Sequence, residues 1–308
     1  MTLTRYNQLN KFIFFIQFIP IRNMELEQLK AFVAIADHGS FSAAAQALFL
    51  TQPAVSKRLA ALEEEWEVKL FDRVGRQARL SSAGSSLLPK ARELLLQAQD
   101  LKHLASHLQQ QVRGPLLLGT SHHIGLHRLP PLLKRYRSQY PEVALDIRFL
   151  DSEAGCRAVE KGELELAVVT LPPQTSPRLR SRLLWHDPLL FVASREHPLA
   201  GQKHISLPEL VRFPAVLPAG TTFTRGILEQ ALNAQQCYIR VSMSTNYMET
   251  LKMLADINLG WSLLPATMVD DSLCVLDLPL SLERQLGIVT HRKRSLSNPA
   301  RALLELLP

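Results

Sequence analysis

Cysteine is scarce and scattered. Cys156, Cys237 and Cys274 are the three in 308 residues, and none stands in a C-x-x-C pair. That excludes a zinc ribbon or a dithiol redox motif. A sparse, odd count suits a reducing compartment, so the cytoplasm is the expected location. Each cysteine reads first as a small buried apolar residue; Cys156, close to a candidate cleft, keeps a redox role open. Long hydrophobic runs are missing too. The apolar stretch 12–21, interrupted by Gln17, is too short for the ~20 apolar residues of a bilayer span, and no membrane partner is expected. No Gly-x-Ser-x-Gly elbow, Walker loop or Rossmann glycine fingerprint is present, so no enzyme class is supported.

What is present is a globular composition, 46% hydrophobic and 20% charged, with a net charge of +7. The basic balance permits an anionic partner without identifying one. Arg5 and Lys11 precede the short apolar run, but no small-x-small cleavage pattern follows. A well-patterned helix starts just after Met24. The expectation is that Met24 is the functional start and 1–23 an upstream extension.

Residues 26–37 put Leu26, Leu29, Phe32, Val33 and Ala36 on one helical stripe. His38 and Gly39 stop that helix. Ser40 can cap a second, in which Phe41, Ala44, Ala45 and Leu48 face inward. Thr51 can cap a third, with Pro53 in its first turn. There Val55, Leu59 and Leu62 form the buried stripe, and Gln52, Pro53, Ser56 and Lys57 occupy the opposite face. Two short helices around a tight turn, the second exposing polar and basic groups near its start, make a helix-turn-helix suited to the major groove. The segment 70–80 reads as a hairpin turning at Gly75, with Arg73, Arg76 and Arg79 as a basic edge. The acidic run Glu63–Glu65 with Glu67 is expected to face solvent or a dimer partner.

This stretch resembles the LysR-type transcriptional regulators. The likeness rests on Leu26–Leu29, Phe32, Gly39–Phe41, Ala44 and Ala45, Leu48, Thr51–Ser56, Leu62 and Glu63, Leu70 and Phe71, Arg73, Leu80 and Gly84. Trp66–Glu67 departs from the family's apolar residue and glycine, and Ser81 stands where threonine is usual. The resemblance implies a double-stranded DNA operator as partner. It places Gln52, Pro53, Ser56 and Lys57 toward the groove, with Arg58, Arg73 and Arg76 near phosphates. Ser40 and Thr51 complete the candidate DNA-binding set.

From 82 to 111 the chain reads as one long helix. Leu87, Leu94, Leu101 and Leu108 recur every seven residues, with Ala91, Ala98 and Ala105 four residues after the first three. That is an a/d pattern. It points to a homodimer, and the resemblance extends this to a tetramer. Two symmetry-related readers call for inverted-repeat half-sites about 34–36 Å apart or a multiple of that.

From Pro115 onward short apolar runs alternate with helical patterns, which argues for parallel βαβ units. The expected strands are 116–119, 145–150, 166–170, 189–193, 215–217, 238–243, 261–264 and 285–290. The intervening helices fall near 124–140, 153–161, 222–232, 247–256 and 299–307. The fold class is therefore a multidomain α/β protein. A mostly helical winged helix-turn-helix (24–81) leads through a linker helix (82–111) to an effector domain (112–308). That domain resembles the two-lobed periplasmic solute-binding proteins, with lobe I near 115–187 and 290–308 and lobe II near 188–289. Ligands in such sheets sit beyond the strand C-termini. This rule selects Thr120, Ser121 and His122, Thr170, Thr221 and Asn246 as effector-binding candidates. Their hydroxyls and helix starts favour a small anion. The adjacent pair His122–His123 has no matching ligand set, so neither metal nor cofactor is expected. The basic stretch 291–294 reads as a solvated loop. RNA polymerase is a further expected partner should the protein activate transcription. The alternatives are a solute-binding protein or an enzyme with a fused DNA-binding unit.

Overall fold

The computed structural model describes residues 25–74, 77–107 and 111–308. The expected extension 1–23 lies outside them. The chain divides into two compact units after Gln99.

The first unit is built from well-terminated short helices. Helix α1 (Leu26–His38) opens with a Glu25–Gln28 capping box and ends at Gly39, whose φ of 67° suits a residue without Cβ. Helix α2 (Phe41–Ala47) is capped by Ser40 Oγ, which accepts the Ala43 N–H at 3.1 Å. Helix α3 (Gln52–Trp66) is capped by Thr51 Oγ1 accepting from Ala54 at 3.4 Å. Strands β1 (Phe71–Val74) and β2 (Gln77–Leu80) pair antiparallel as the expected hairpin. Gly75 and Arg76 lie outside the described residues. Leu29, Phe32, Ile35, Val55, Leu62 and Leu70 close the core, with Phe71 edge-on to Phe32 at 5.7 Å.

The acidic run does not simply face solvent. Glu63 is buried in side chain, accepts the Leu70 N–H at 2.7 Å and pairs with Lys69. The chain entering β1 is thereby tied to α3, since a carboxylate satisfies backbone donors that the turn leaves open. Glu67 closes α3 with φ 54°, a left-handed conformation. This is the position where the family pattern favours glycine. Helix α4 (Ser82–His107) begins with Ser81, whose hydroxyl donates to Lys69 O and accepts from Gly84 N. Gly84 is needed there: a Cβ would meet the Leu70 carbonyl oxygen at 2.1 Å. Of the expected linker helix 82–111, Ser82–His107 is helical, 108–110 lie outside the described residues, and 111–113 are not helical. Along it, Leu94 and Leu101 are exposed.

The second unit is a seven-stranded mixed sheet rather than a set of purely parallel units. Strand β3 (Gly114–Thr120) runs parallel to β4 (Val143–Phe149) and to β5 (Leu166–Thr170). Strands β6 (Leu179–Ser194) and β11 (Leu282–His291) are antiparallel to each other along their length. The sheet order is β10-β6-β11-β5-β3-β4, with β9 (Ser262–Pro265) also on β6 and β10 being Leu273–Val275. A second small sheet pairs β7 (Ala215–Leu217) with β8 (Val241–Ser244) in parallel. Thus β6 and β11 cross between the two lobes. The expected helix 124–140 is two, α5 (His122–His127) and α6 (Pro130–Gln139), because Pro130 and Pro131 start a new helix more readily than they continue one. Helix α7 (Ser152–Lys161) covers lobe I; α8 (Leu207–Leu210), α9 (Phe223–Asn233) and α10 (Met248–Asp256) belong to lobe II. Helix α11 (Asn298–Leu306) returns to lobe I and packs on the β3 side. Strand β8 starts later than expected, and Tyr238 is 77% exposed. The basic stretch 291–294 ends β11 and forms a turn in which Arg292 and Lys293 are exposed, as expected, although its two outer residues are partly covered. Arg292 also donates to Leu179 O, and the largely covered side chain of Arg294 lies 3.5 Å from Asp100.

Candidate functional site

The first site is the exposed start of α3. Thr51, Gln52, Pro53 and Lys57 are exposed, and Ser56 is half-buried. Gln52 Nε2 donates to Ser56 Oγ at 3.2 Å, which holds an amide and a hydroxyl together on the outer face. Val55, Leu59 and Leu62 are buried on the other face, so the helix cannot rotate without exposing its apolar stripe. Ser40 and Thr51 spend their hydroxyls on helix caps. Arg58 pairs with Glu27 at 3.1 Å, and Lys30 also contacts Glu27. Its charge is therefore partly engaged within the unit. Arg73 lies on β1; its side chain, like all of Arg76, is outside the described structure.

The second site is a cleft of about 280 Å³ between the lobes of the second unit. Ser121, His122, Thr170 and Asn246 line it, as their positions after strands and before helices suggest. Thr120 does not. It is fully buried, and its hydroxyl donates to Val168 O at 3.0 Å, stitching β3 to β5. Thr221 is not a lining residue either; its neighbour Thr222 is, and caps α9. His122 packs tilted against Phe149 and edge-on to Tyr247, with ring centroids 5.2 and 4.9 Å away, so it forms an aromatic wall.

Two buried groups dominate the chemistry: Arg284, which sequence reading missed, and His123, which it noted only beside His122 after the first strand. Arg284, 3% exposed, donates from Nε to Asp187 Oδ2 at 2.7 Å, while Arg128 reaches Asp187 Oδ1 at 3.1 Å. Arg284 Nη1 lies 3.4 Å from Thr224 Oγ1, and Nη2 has no hydrogen-bond partner among the described residues. Burial pulls its pKa down and Asp187 opposes that; a guanidinium stays protonated regardless. The cleft thus holds a cation whose donor is unspent. The second group is His123, 3% exposed, whose imidazole burial and the Arg284 charge bring down to about 4. A signal for Arg284 did exist. In β11 the inward positions alternate as Leu282, Arg284 and Leu286, and a charge on an apolar face calls for a reason.

The lobes touch through carboxylates. Asn246 donates to Asp151 Oδ2 at 2.8 Å and accepts from Ala219 N at 3.0 Å. Glu153 of α7 accepts the Phe223 N–H at the start of α9.

Cys156, the redox candidate, is buried, and burial with nearby Glu153 and Glu160 pushes its thiol up to about 12. It carries essentially no thiolate at neutral pH, so the reactive form is lacking.

Two family models match. One, described as "Bacterial regulatory helix-turn-helix protein, lysR family", covers residues 26–85, and the other, "LysR substrate binding domain", covers 109–308. The HTH-type transcriptional activator CmpR of Synechocystis sp. (strain ATCC 27184 / PCC 6803 / Kazusa) is 29% identical over 93% of this chain and 96% of its own. A full-length OxyR variant from Pseudomonas aeruginosa superposes with a TM-score of 0.69 at 23% identity, covering 92% of this chain and 98% of that one. Full-length CbnR complexed with its target DNA gives 0.59 at 18% identity, over 92% and 99%. At these identities the two structures establish the fold.

Proposed function

The chain belongs to the LysR family of bacterial transcriptional regulators, with a DNA-binding helix-turn-helix and an effector-binding domain, and from that premise we propose that its effector is a small carboxylate or phosphate held by Arg284. The Nη2 of Arg284, which has no hydrogen-bond partner among the described residues, carries this reading. A buried guanidinium edge without an acceptor is costly to leave unmade, and an anion oxygen satisfies it with a charge-assisted bond. Ser121, Thr170, Thr224 and Asn246 add neutral polar contacts around it. A volume near 280 Å³ suits a small metabolite.

At the other end, Gln52, Ser56 and Lys57 read base edges, and Arg73 and Arg76 hold the backbone. The described part of α4 leaves Leu94 and Leu101 exposed, which supports a dimer seam and hence an inverted-repeat operator; a tetramer and contact with RNA polymerase follow the same reading. The domain limits 24–81, 82–111 and 112–308 go with it. Action in the cytoplasm accords with the absence, among the described residues, of a helix long and apolar enough to cross a membrane. The effector shifts an equilibrium between arrangements of the DNA readers, without turnover.

The test is thermal unfolding of the full chain against a panel of small mono- and dicarboxylates and phosphorylated acids. A binder raises the midpoint by mass action and should alter the mobility of an operator complex. Arg284→Lys, which keeps the charge but loses the planar fork, should abolish that response. A response fully retained in Arg284→Lys would overturn the assignment.

A further inference from the structure

We propose that His123, His127 and Glu249 form a binding site for a divalent transition-metal ion of the zinc type. His123 and His127 stand four residues apart on α5, so their rings share one face, with centroids 4.8 Å apart. Glu249 comes from the first turn of α10 in the other lobe, and its Oε1 lies 3.1 Å from His127 Nε2. One donor atom from each of the three residues falls within 4.8 Å of the other two.

Three further observations separate this cluster from an ordinary surface ion pair. His123 is 3% exposed, and both of its ring nitrogens lack a hydrogen-bond partner among the described residues. Buried polar atoms left so are rare and call for an explanation; a metal bond to one nitrogen supplies it. Second, the donors converge from two lobes, His123 and His127 from α5 and Glu249 from α10, as a metal that needs several ligands at once requires. Third, His127 and Glu249 keep 45% and 43% side-chain exposure. They can rotate inward to the ~2.0–2.2 Å bond lengths that zinc requires of nitrogen and oxygen. The set of two imidazoles and one carboxylate matches zinc and its first-row neighbours rather than magnesium or calcium. It leaves one tetrahedral position for water. The nearby cation Arg284 is held on Asp187. His122, the histidine beside His123 in sequence, packs against the rings of Phe149 and Tyr247 and takes no part. An ion bound here joins α5 of lobe I to α10 of lobe II.

The experiment uses the full chain without an affinity tag, stripped with chelator. Zn²⁺ uptake is read by competition with a chromogenic chelator, and Co²⁺ is read by its visible absorption. Wild type should take up one ion per chain with a tetrahedral Co²⁺ spectrum. His127→Ala and Glu249→Gln alter exposed side chains and should leave the circular dichroism unchanged, yet each should weaken uptake about tenfold or more. Equal affinity in wild type and both variants would assign uptake to scattered surface histidines and overturn the site. So would the absence of saturable uptake by wild type.

Discussion

The carboxylate of Glu153, on α7 of lobe I, accepts the backbone N–H of Phe223 in the first turn of α9 in lobe II. Sequence reading assigns that helix start to an anionic effector. The protein fills it with its own carboxylate, and the unspent cation sits instead on β11. Glu153→Gln keeps the shape but removes the charge that complements the helix N-terminus, an effect of about 1 kcal/mol. The thermal midpoint of the second unit should fall by about 2–4 °C. Differential scanning calorimetry reads this directly, and an unchanged midpoint would show that the contact is energetically idle.

Glu67 ends α3 in a left-handed conformation that a Cβ disfavours. Glu67→Gly should stabilise the first unit by about 0.5–1 kcal/mol, the relief of strain exceeding the extra freedom of the unfolded chain. A higher urea midpoint in equilibrium unfolding is the expected reading.

Lys57 is exposed on the outer face of α3. Lys57→Ala should weaken operator binding and reduce the slope of log K against log salt by about 1, the share of one released counterion. Binding isotherms at several salt concentrations test it. An unchanged affinity and an unchanged slope would count against the placement of Lys57 in the DNA groove.

His123 imposes a pH dependence of definite sign. Its pKa falls from 6.5 to about 4 on folding, chiefly through burial. Between those values the unfolded chain binds a proton that the folded chain does not. Stability is therefore complete above about pH 6.5 and declines as pH falls toward 4. His197 and His291, also lowered by burial, act in the same direction. Urea midpoints measured from neutral to mildly acidic pH should fall, and His123→Phe should make the fall shallower. Identical slopes in the two proteins would place the titration elsewhere.

Much of the reader is legible in the sequence because its determinants are local. Ser40 and Thr51 cap helices three residues away, Gly39 stops α1, and the apolar stripe of α3 repeats within one helix. Such features depend on spacing alone. Where the reading fails, the partner is distant or of unexpected kind. The acidic run reads as facing solvent or a dimer partner, yet Glu63 finds the N–H groups of Leu70 and Phe71 across a turn. Thr120 and Ser121 are neighbours with opposite fates, since alternate residues of a strand end point to opposite sides.

By itself, then, the chain's order of caps, stripes and turns was enough to specify a helix-turn-helix, a leucine-patterned helix and an α/β domain with a cleft beyond its strand ends, because each signal lies within a turn or two of the residue it governs. Only the tertiary structure decided which charges meet. Asp187 with Arg284 spans 97 positions, and His127 with Glu249 spans 122. No local periodicity encodes such pairings; they arise when β6 and β11 cross between lobes and bring α5 against α10.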